Sequence, residues 1–271
     1  MPFRTLAFLF VALTFGGCAT YPDMKAFVKS HRETPVSILL IEAPPDIDHS
    51  RLQAVFAPSA KSPSGKAIAS GIEHAQSRAL DLMKAMLERH RSFEVVSEPQ
   101  PAKVARMLKK DPDHPLSQED ADAIHAETGA DAIFLFRITD YGLTPGSWRD
   151  GYIAFEVSST LAIAGVIAYT GSAAAHAAAG GYLVQETVEE TTEAYAGFWG
   201  LDVVTRPVRL EAELVRLKPV GRIWKTDETG LSDIRLSRLT RTIPASERDL
   251  QLDQSTNHAI NDISADLKKW E

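Results

Sequence analysis

Apolar and polar positions along the chain change period several times, and each change marks an element. Residues 36–43, VSILLIEA, form a continuous apolar run closed by Pro44-Pro45. A strand buried on both faces has this pattern. Over residues 67–90, Ile68, Ile72, Ala75, Ala79, Leu82, Met83 and Met86 recur at three- and four-residue steps, opposite Glu73, Arg78, Asp81, Lys84 and Glu88. That spacing predicts an amphipathic helix. Phe93–Val96 alternates briefly as a strand, ended by Pro99 and Pro101. Residues 102–109 read as a short basic helix. Ser117 is placed to cap a helix over 118–128, with Glu119 and Asp120 in its first turn and Gly129 as its stop. Residues 130–141, ADAIFLFRITDY, give the strongest strand signal.

Farther on, Val208, Leu210, Ala212, Leu214 and Arg216 share one face of an alternating segment. Pro219-Val220-Gly221 turns the chain and Arg222–Asp227 returns it, which predicts an antiparallel hairpin. Ile260, Ile263, Leu267 and Trp270 mark the apolar stripe of a last helix. Residues 19–34 are polar and mixed and read as a linker; residues 44–66, rich in Pro, Ser and Asp, read as a long loop. The order β, α, β, α, α, β, insertion, β, β, α predicts an α+β fold, a mixed sheet with helices packed on it.

The insertion is the unusual part. From Val157 to Gln185 no residue carries a fixed charge, and small residues dominate. Ala164, Ala168, Ser172 and Gly180 fall at multiples of four, as do Gly165, Ala173, Ala177 and Gly181. Small residues at that spacing let helix backbones approach closely. Three readings stand side by side: a hairpin inserted in or lying on a membrane, a helix packed on the body or on a neighbouring subunit, and a strand or loop excursion. These eight residues are the candidate membrane or subunit contact.

Composition narrows the partners. The chain has 271 residues, 29 Lys and Arg against 36 Asp and Glu, and 44% hydrophobic residues. The net charge of −7 gives no attraction for nucleic acid. A single cysteine excludes an intramolecular disulfide and multi-cysteine metal centres. That cysteine, Cys18, stands just after an N-terminal stretch whose only charge is Arg4 and whose residues 5–15 are an apolar run. Such a run is too short to span a bilayer and reads as a secretory signal.

Phe15-Gly16-Gly17-Cys18 resembles the lipobox of bacterial lipoproteins, with Phe15 where that family prefers Leu, Val or Ile. The resemblance implies removal of residues 1–17, a diacylglycerol and an N-acyl lipid on Cys18, and no other cofactor. Ala19, rather than Asp, implies sorting to the outer membrane, with the body on the periplasmic side. Two acyl signals make anchoring stable. The organisation expected is a signal peptide over 1–17, a tether over 18–34, and the first part of the body over 35–150. The Ala/Gly-rich insertion then occupies 151–204, and the hairpin with its helix completes the body over 205–271.

The body resembles a second group. Thr128-Gly129-Ala130-Asp131-Ala132-Ile133 before a strand, Ile138-Thr139-Asp140-Tyr141, and the hairpin Leu214–Trp224 are similar to envelope-assembly lipoproteins. That group has an anticodon-binding-like α/β core and is related to the curli-secretion channel and to activators of penicillin-binding proteins. Lys218-Pro219-Val220 departs from the group's polar turn. This resemblance implies a non-enzymatic subunit or accessory factor of an envelope assembly, secretion or transport machine. Its partners would be other envelope proteins, with a homo-oligomer among the candidates.

Catalytic signatures are weak. Residues 60–67 resemble a phosphate-binding loop, but Ala67 replaces the Ser or Thr that would hold magnesium. Asp111, Asp113 and His114 sit in a proline-rich turn without the glycine and distal glutamate of a calcium loop. Asp120 and Asp122 lie on one exposed helix face without an identified partner. The acidic run 186–194 reads as a solvated face, and Phe198-Trp199-Gly200-Leu201 as a core group. No catalytic residue and no metal ligand is assigned. An envelope hydrolase and a carrier of lipid or small ligands remain the alternatives to a binding role.

Overall fold

The computed structural model describes residues 22–31, 33–47, 65–96, 104, 116–146, 148–149, 151 and 197–270. The fold is the expected α+β arrangement, built on a five-stranded mixed sheet in the order β2-β1-β3-β4-β5. Strands β1 (Val36–Glu42), β2 (Phe93–Val96) and β3 (Ala132–Tyr141) run parallel. Strands β4 (Val208–Leu217) and β5 (Val220–Gly230) follow antiparallel.

Topology decides which face each helix covers. Helix α2 (Gly65–Leu87) joins β1 to β2, and α3 (Gln118–Thr128) lies between β2 and β3. The two connections step in opposite directions across the sheet. Right-handed crossovers therefore place α2 and α3 on opposite faces. The buried clusters agree. Ile72, Ala79 and Met83 of α2 pack with Ile38, Phe134 and Leu214, whereas Ala121 and Ile124 of α3 pack with Leu39, Ile133 and Val215. The C-terminal helix α4 (Ala245–Lys268) joins α2 on the larger face through Leu252, Ala259, Ile260, Ile263 and Leu267.

Local signals explain the boundaries. Ser117 Oγ accepts from the Asp120 amide at 3.1 Å, and Gly129, at φ 72°, donates to the His125 carbonyl at 2.8 Å. Those are the two caps expected for α3. Gly230 sits where α4 crosses β5. A Cβ there would lie 1.9 Å from the Ser255 carbonyl oxygen, so only a bare backbone allows the approach. A bulge between Leu214 and Val215 skips one residue of β5 and turns both Ile223 and Trp224 onto the α4 face, where both are buried.

Three expectations need correction. Residues 22–30, read as part of a linker, form helix α1 (Pro22–Ser30). Met24 and Phe27, three positions apart, insert into the main core, and Asp23 and Lys29 complement the helix dipole. Second, the hairpin turn is two residues, Lys218-Pro219, and β5 continues to Gly230. Its ladder with β4 tolerates Lys225 and Asp227 because Glu211, Glu213 and Arg209 on the neighbouring strand pair with them, while Glu228 accepts from Thr226 on its own strand. Third, the Phe198–Leu201 group is not core: Trp199 is 58% exposed on the helical stretch 197–205.

The sheet has two structurally distinct ends. The near end gathers the starts of β1 and β3, the Lys218-Pro219 turn and the C-terminus of α4. The far end holds Tyr141, Val208 and Gly230 and the start of α4, about 30 Å away at ~3.3 Å per strand residue.

Candidate functional site

Two constructions stand out, one at each end. At the far end, β3 leaves the sheet, and the chain returns to enter β4. Gly142 donates its amide to the Pro207 carbonyl at 2.6 Å. The amide and hydroxyl of Thr144 donate to Asp202 Oδ1 at 2.5 and 2.6 Å, and Arg149 Nη2 donates to Asp202 Oδ2 at 2.5 Å. The Arg149 guanidinium also lies 5.2 Å over the Phe198 ring, a cation–π contact. Buried Asp202 thus ties the outgoing chain to the returning one. The chain before residue 150 and the chain after residue 196 are joined at this clamp.

A second knot backs the first. Arg238 is almost fully buried. Its Nη1 donates to the Val204 and Asp233 carbonyls at 2.7 and 2.5 Å, its Nη2 to Asp233 Oδ1 at 2.9 Å, and its Nε to Glu247 at 3.0 Å. Hydrogen bonds from Arg241 and Arg238 hold the Glu247 carboxyl below the usual range, against a smaller opposing effect of burial. Gln251 Nε2 and Ser255 Oγ donate to the Val204 and Thr205 carbonyls, fastening the stretch 197–205 to α4. Arg206 ends that stretch at φ 47°, buried, with its Nε making no hydrogen bond. Burial, aided by Arg248 and opposed by Asp202, pushes its guanidinium down to about 10. Around these knots large apolar side chains face solvent: Trp199, Ile234, Leu236 and Leu250. These exposed apolar groups make the far end a candidate contact surface.

The face left open by α3 is charged but self-contained. Glu213 is nearly buried and accepts from Arg222 at 3.0 Å and from Lys225 at 3.1 Å. Glu211 accepts from Arg137 and Lys225. Burial alone would raise the Glu211 carboxyl, yet the hydrogen bonds from Lys225 and Arg137 outweigh it and hold it below its usual range. Each of these cations is engaged by a carboxylate, so the charges of this lattice are spent on one another.

The near end differs. A cleft of about 620 Å³ opens between α1, the start of β1, the turn before β2 and the end of α4. Lys25, Lys29, Arg91 and Lys269 line it with His31 and Trp270, and Glu33 is the sole acid among its lining residues. Lys269 is engaged by Asp266 at 2.8 Å. Among the described residues none forms an ion pair with Lys25, Lys29 or Arg91.

The residues singled out from sequence fall as follows. Cys18 and the candidate contact residues Ala164, Gly165, Ala168, Ser172, Ala173, Ala177, Gly180 and Gly181 lie outside the described residues. So do Asp111, Asp113, His114, the run 186–194 and most of residues 60–67. On α3, Asp120 accepts from Ser117 Oγ at 2.6 Å and Asp122 from Gln118 at 3.0 Å, so each carboxylate serves its own helix. His90 is buried within 3.0 Å of the Ser264 hydroxyl, a core position rather than a ligand. Among the described residues no cluster of His, Cys, Asp or Glu is arranged to hold a metal, and no helix is long and apolar enough to cross a membrane. The clamp and the cleft escaped sequence reasoning because each joins segments far apart in the chain.

Comparison with models of known families and with curated proteins finds no match for this chain.

Proposed function

We propose that the protein is a non-enzymatic lipoprotein of the outer membrane, anchored through Cys18 and facing the periplasm. It serves as a subunit or accessory factor of a cell-envelope assembly, secretion or transport machine. The observation that carries the anchor is the sole cysteine standing directly after a short apolar run and two glycines. The partner-binding role is supported by the far end, where Trp199, Ile234, Leu236 and Leu250 face solvent beside the Asp202 clamp. The mechanism is binding. An anchor confines the body to a surface and raises its effective concentration for a partner there.

Intact mass and membrane fractionation of the wild type and Cys18→Ala test this reading. The expected wild type has lost residues 1–17, carries acyl mass and fractionates with the outer membrane. Cys18→Ala carries no acyl mass. A discrete large particle in detergent identifies a ring subunit; an acylated monomer identifies an activator or adaptor. An unacylated, soluble wild type overturns the proposal.

A further inference from the structure

The structure shortens the leash. A linker over 18–34 would let the body roam far from its anchor, but α1 begins at Pro22 and is fixed to the body by the buried side chains of Met24 and Phe27. Four peptide steps separate Cys18 from Pro22, and n extended residues span at most ~3.6 Å × n, about 14 Å here. Lys25 lies one helical turn farther on, so its backbone is within about 20 Å of Cys18. Whatever surface holds an acyl chain on Cys18 is therefore close to the near-end cleft.

That cleft is cationic in a chain whose net charge is −7. Its cations come from α1, the turn before β2 and the end of α4, so they are assembled by the fold and not by a basic run. The contrast with the open sheet face is direct. There every cation in the lattice has a carboxylate; here Lys25, Lys29 and Arg91 have none among the described residues. An anionic membrane surface attracts basic groups within a Debye length, ~8 Å at physiological salt, and a leash of at most about 20 Å lets the cleft come within that range.

We propose that the near-end cleft seats anionic, phosphate-bearing lipid headgroups of the membrane that holds the anchor. This rests on the lipid-anchor reading above. The body then lies against that surface with its near end down. The far end, with the clamp and the exposed apolar groups, is held about 30 Å out, where it meets a protein partner.

The test uses the acylated full-length mature protein, reconstituted in phosphatidylcholine vesicles with and without phosphatidylglycerol. Thr34→Cys, at the cleft, carries a fluorophore; a second protein carries it at Leu236→Cys, at the far end. Headgroup-labelled lipid is the quencher. Intact mass first establishes the acyl groups. Quenching at position 34 is expected to be roughly threefold stronger with phosphatidylglycerol than without it, and to fall back in high salt. The triple variant Lys25→Glu/Lys29→Glu/Arg91→Glu, with unchanged melting temperature, is expected to lose that difference, and position 236 to stay unquenched throughout. Acylated protein whose position 34 is indifferent to phosphatidylglycerol overturns the docking and leaves the anchor standing. Equal quenching at 34 and 236 overturns the orientation. A wild type without acyl mass removes the anchor, and the docking built on it falls too.

Discussion

The two ends of the sheet both concentrate arginine and lysine, and they use them in opposite ways. At the far end Arg149 and Arg238 are locked by Asp202, Asp233 and Glu247, and their positive charge is consumed inside the fold. At the near end Lys25, Lys29 and Arg91 surround a cleft and no described residue neutralises them. A charge paired in a buried knot specifies structure, and breaking the knot is costly. A charge left at the rim of a cleft adds little to stability and is available to something outside the molecule. The difference separates charges that hold this protein together from charges turned to its surroundings.

The comparison can be broken by mutation. The largest effect is expected for Asp202→Ala, which strands Arg149 and the Thr144 amide and hydroxyl together. Removing one partner of such a pair costs about 3 kcal/mol, read as a fall in the urea midpoint at constant slope. Little change would mean that the clamp is a surface ornament.

Arg206 sharpens the point because it is the far end's exception, buried with an Nε that makes no hydrogen bond. Arg206→Met is expected to stabilise by about 1–2 kcal/mol at neutral pH, since an apolar residue of similar volume removes a buried charge whose desolvation outweighs the pull of Asp202. The positive φ is equally unfavourable for both side chains. The sign with pH follows from the guanidinium's drop from 12.5 to about 10. The unfolded chain binds the extra proton between those values, so wild-type stability rises there. The advantage of Arg206→Met is complete below pH 10 and shrinks above it, as melting curves of the two proteins across that interval will show.

The smallest effect belongs to the near end. Lys25→Glu/Lys29→Glu/Arg91→Glu is expected to move stability by less than about 0.5 kcal/mol, as exposed substitutions do. A large loss would show that these cations are internal supports like those of the far end.

Much of the fold was legible. The apolar run of β1, the three-four stripe of α2, the Ser117 and Gly129 caps of α3 and the alternation of β4 are local patterns, and each became the element expected. Helix α1 was hidden because its apolar positions are few, with Met24, Phe27 and Val28 set among charges. They carry weight only once β1 and α2 provide a core to receive them. The return strand over Arg222–Asp227 was legible; its last residues, Glu228–Gly230, were not, because a charged residue and a glycine carry no strand signal of their own. Trp199 misled for the opposite reason, since an aromatic in an apolar group reads as buried until a neighbour fails to cover it. Neither the clamp nor the cleft has a local signature. Asp202 is one acid in a mostly apolar stretch, and the cleft's cations are separated by up to the length of the whole body.

The pinch between Gly142 and Pro207 has a last consequence, which concerns chain entropy. Closing a loop costs free energy that grows only with the logarithm of its length, ~0.6 kcal/mol per doubling. Holding residues 150–196 at one clamp rather than a five-residue turn therefore costs about 2 kcal/mol more, comparable to a few of the hydrogen bonds that Asp202 and Gly142 supply. By that logarithm, the cost of closing the chain at this pinch depends only weakly on how many residues lie between β3 and β4.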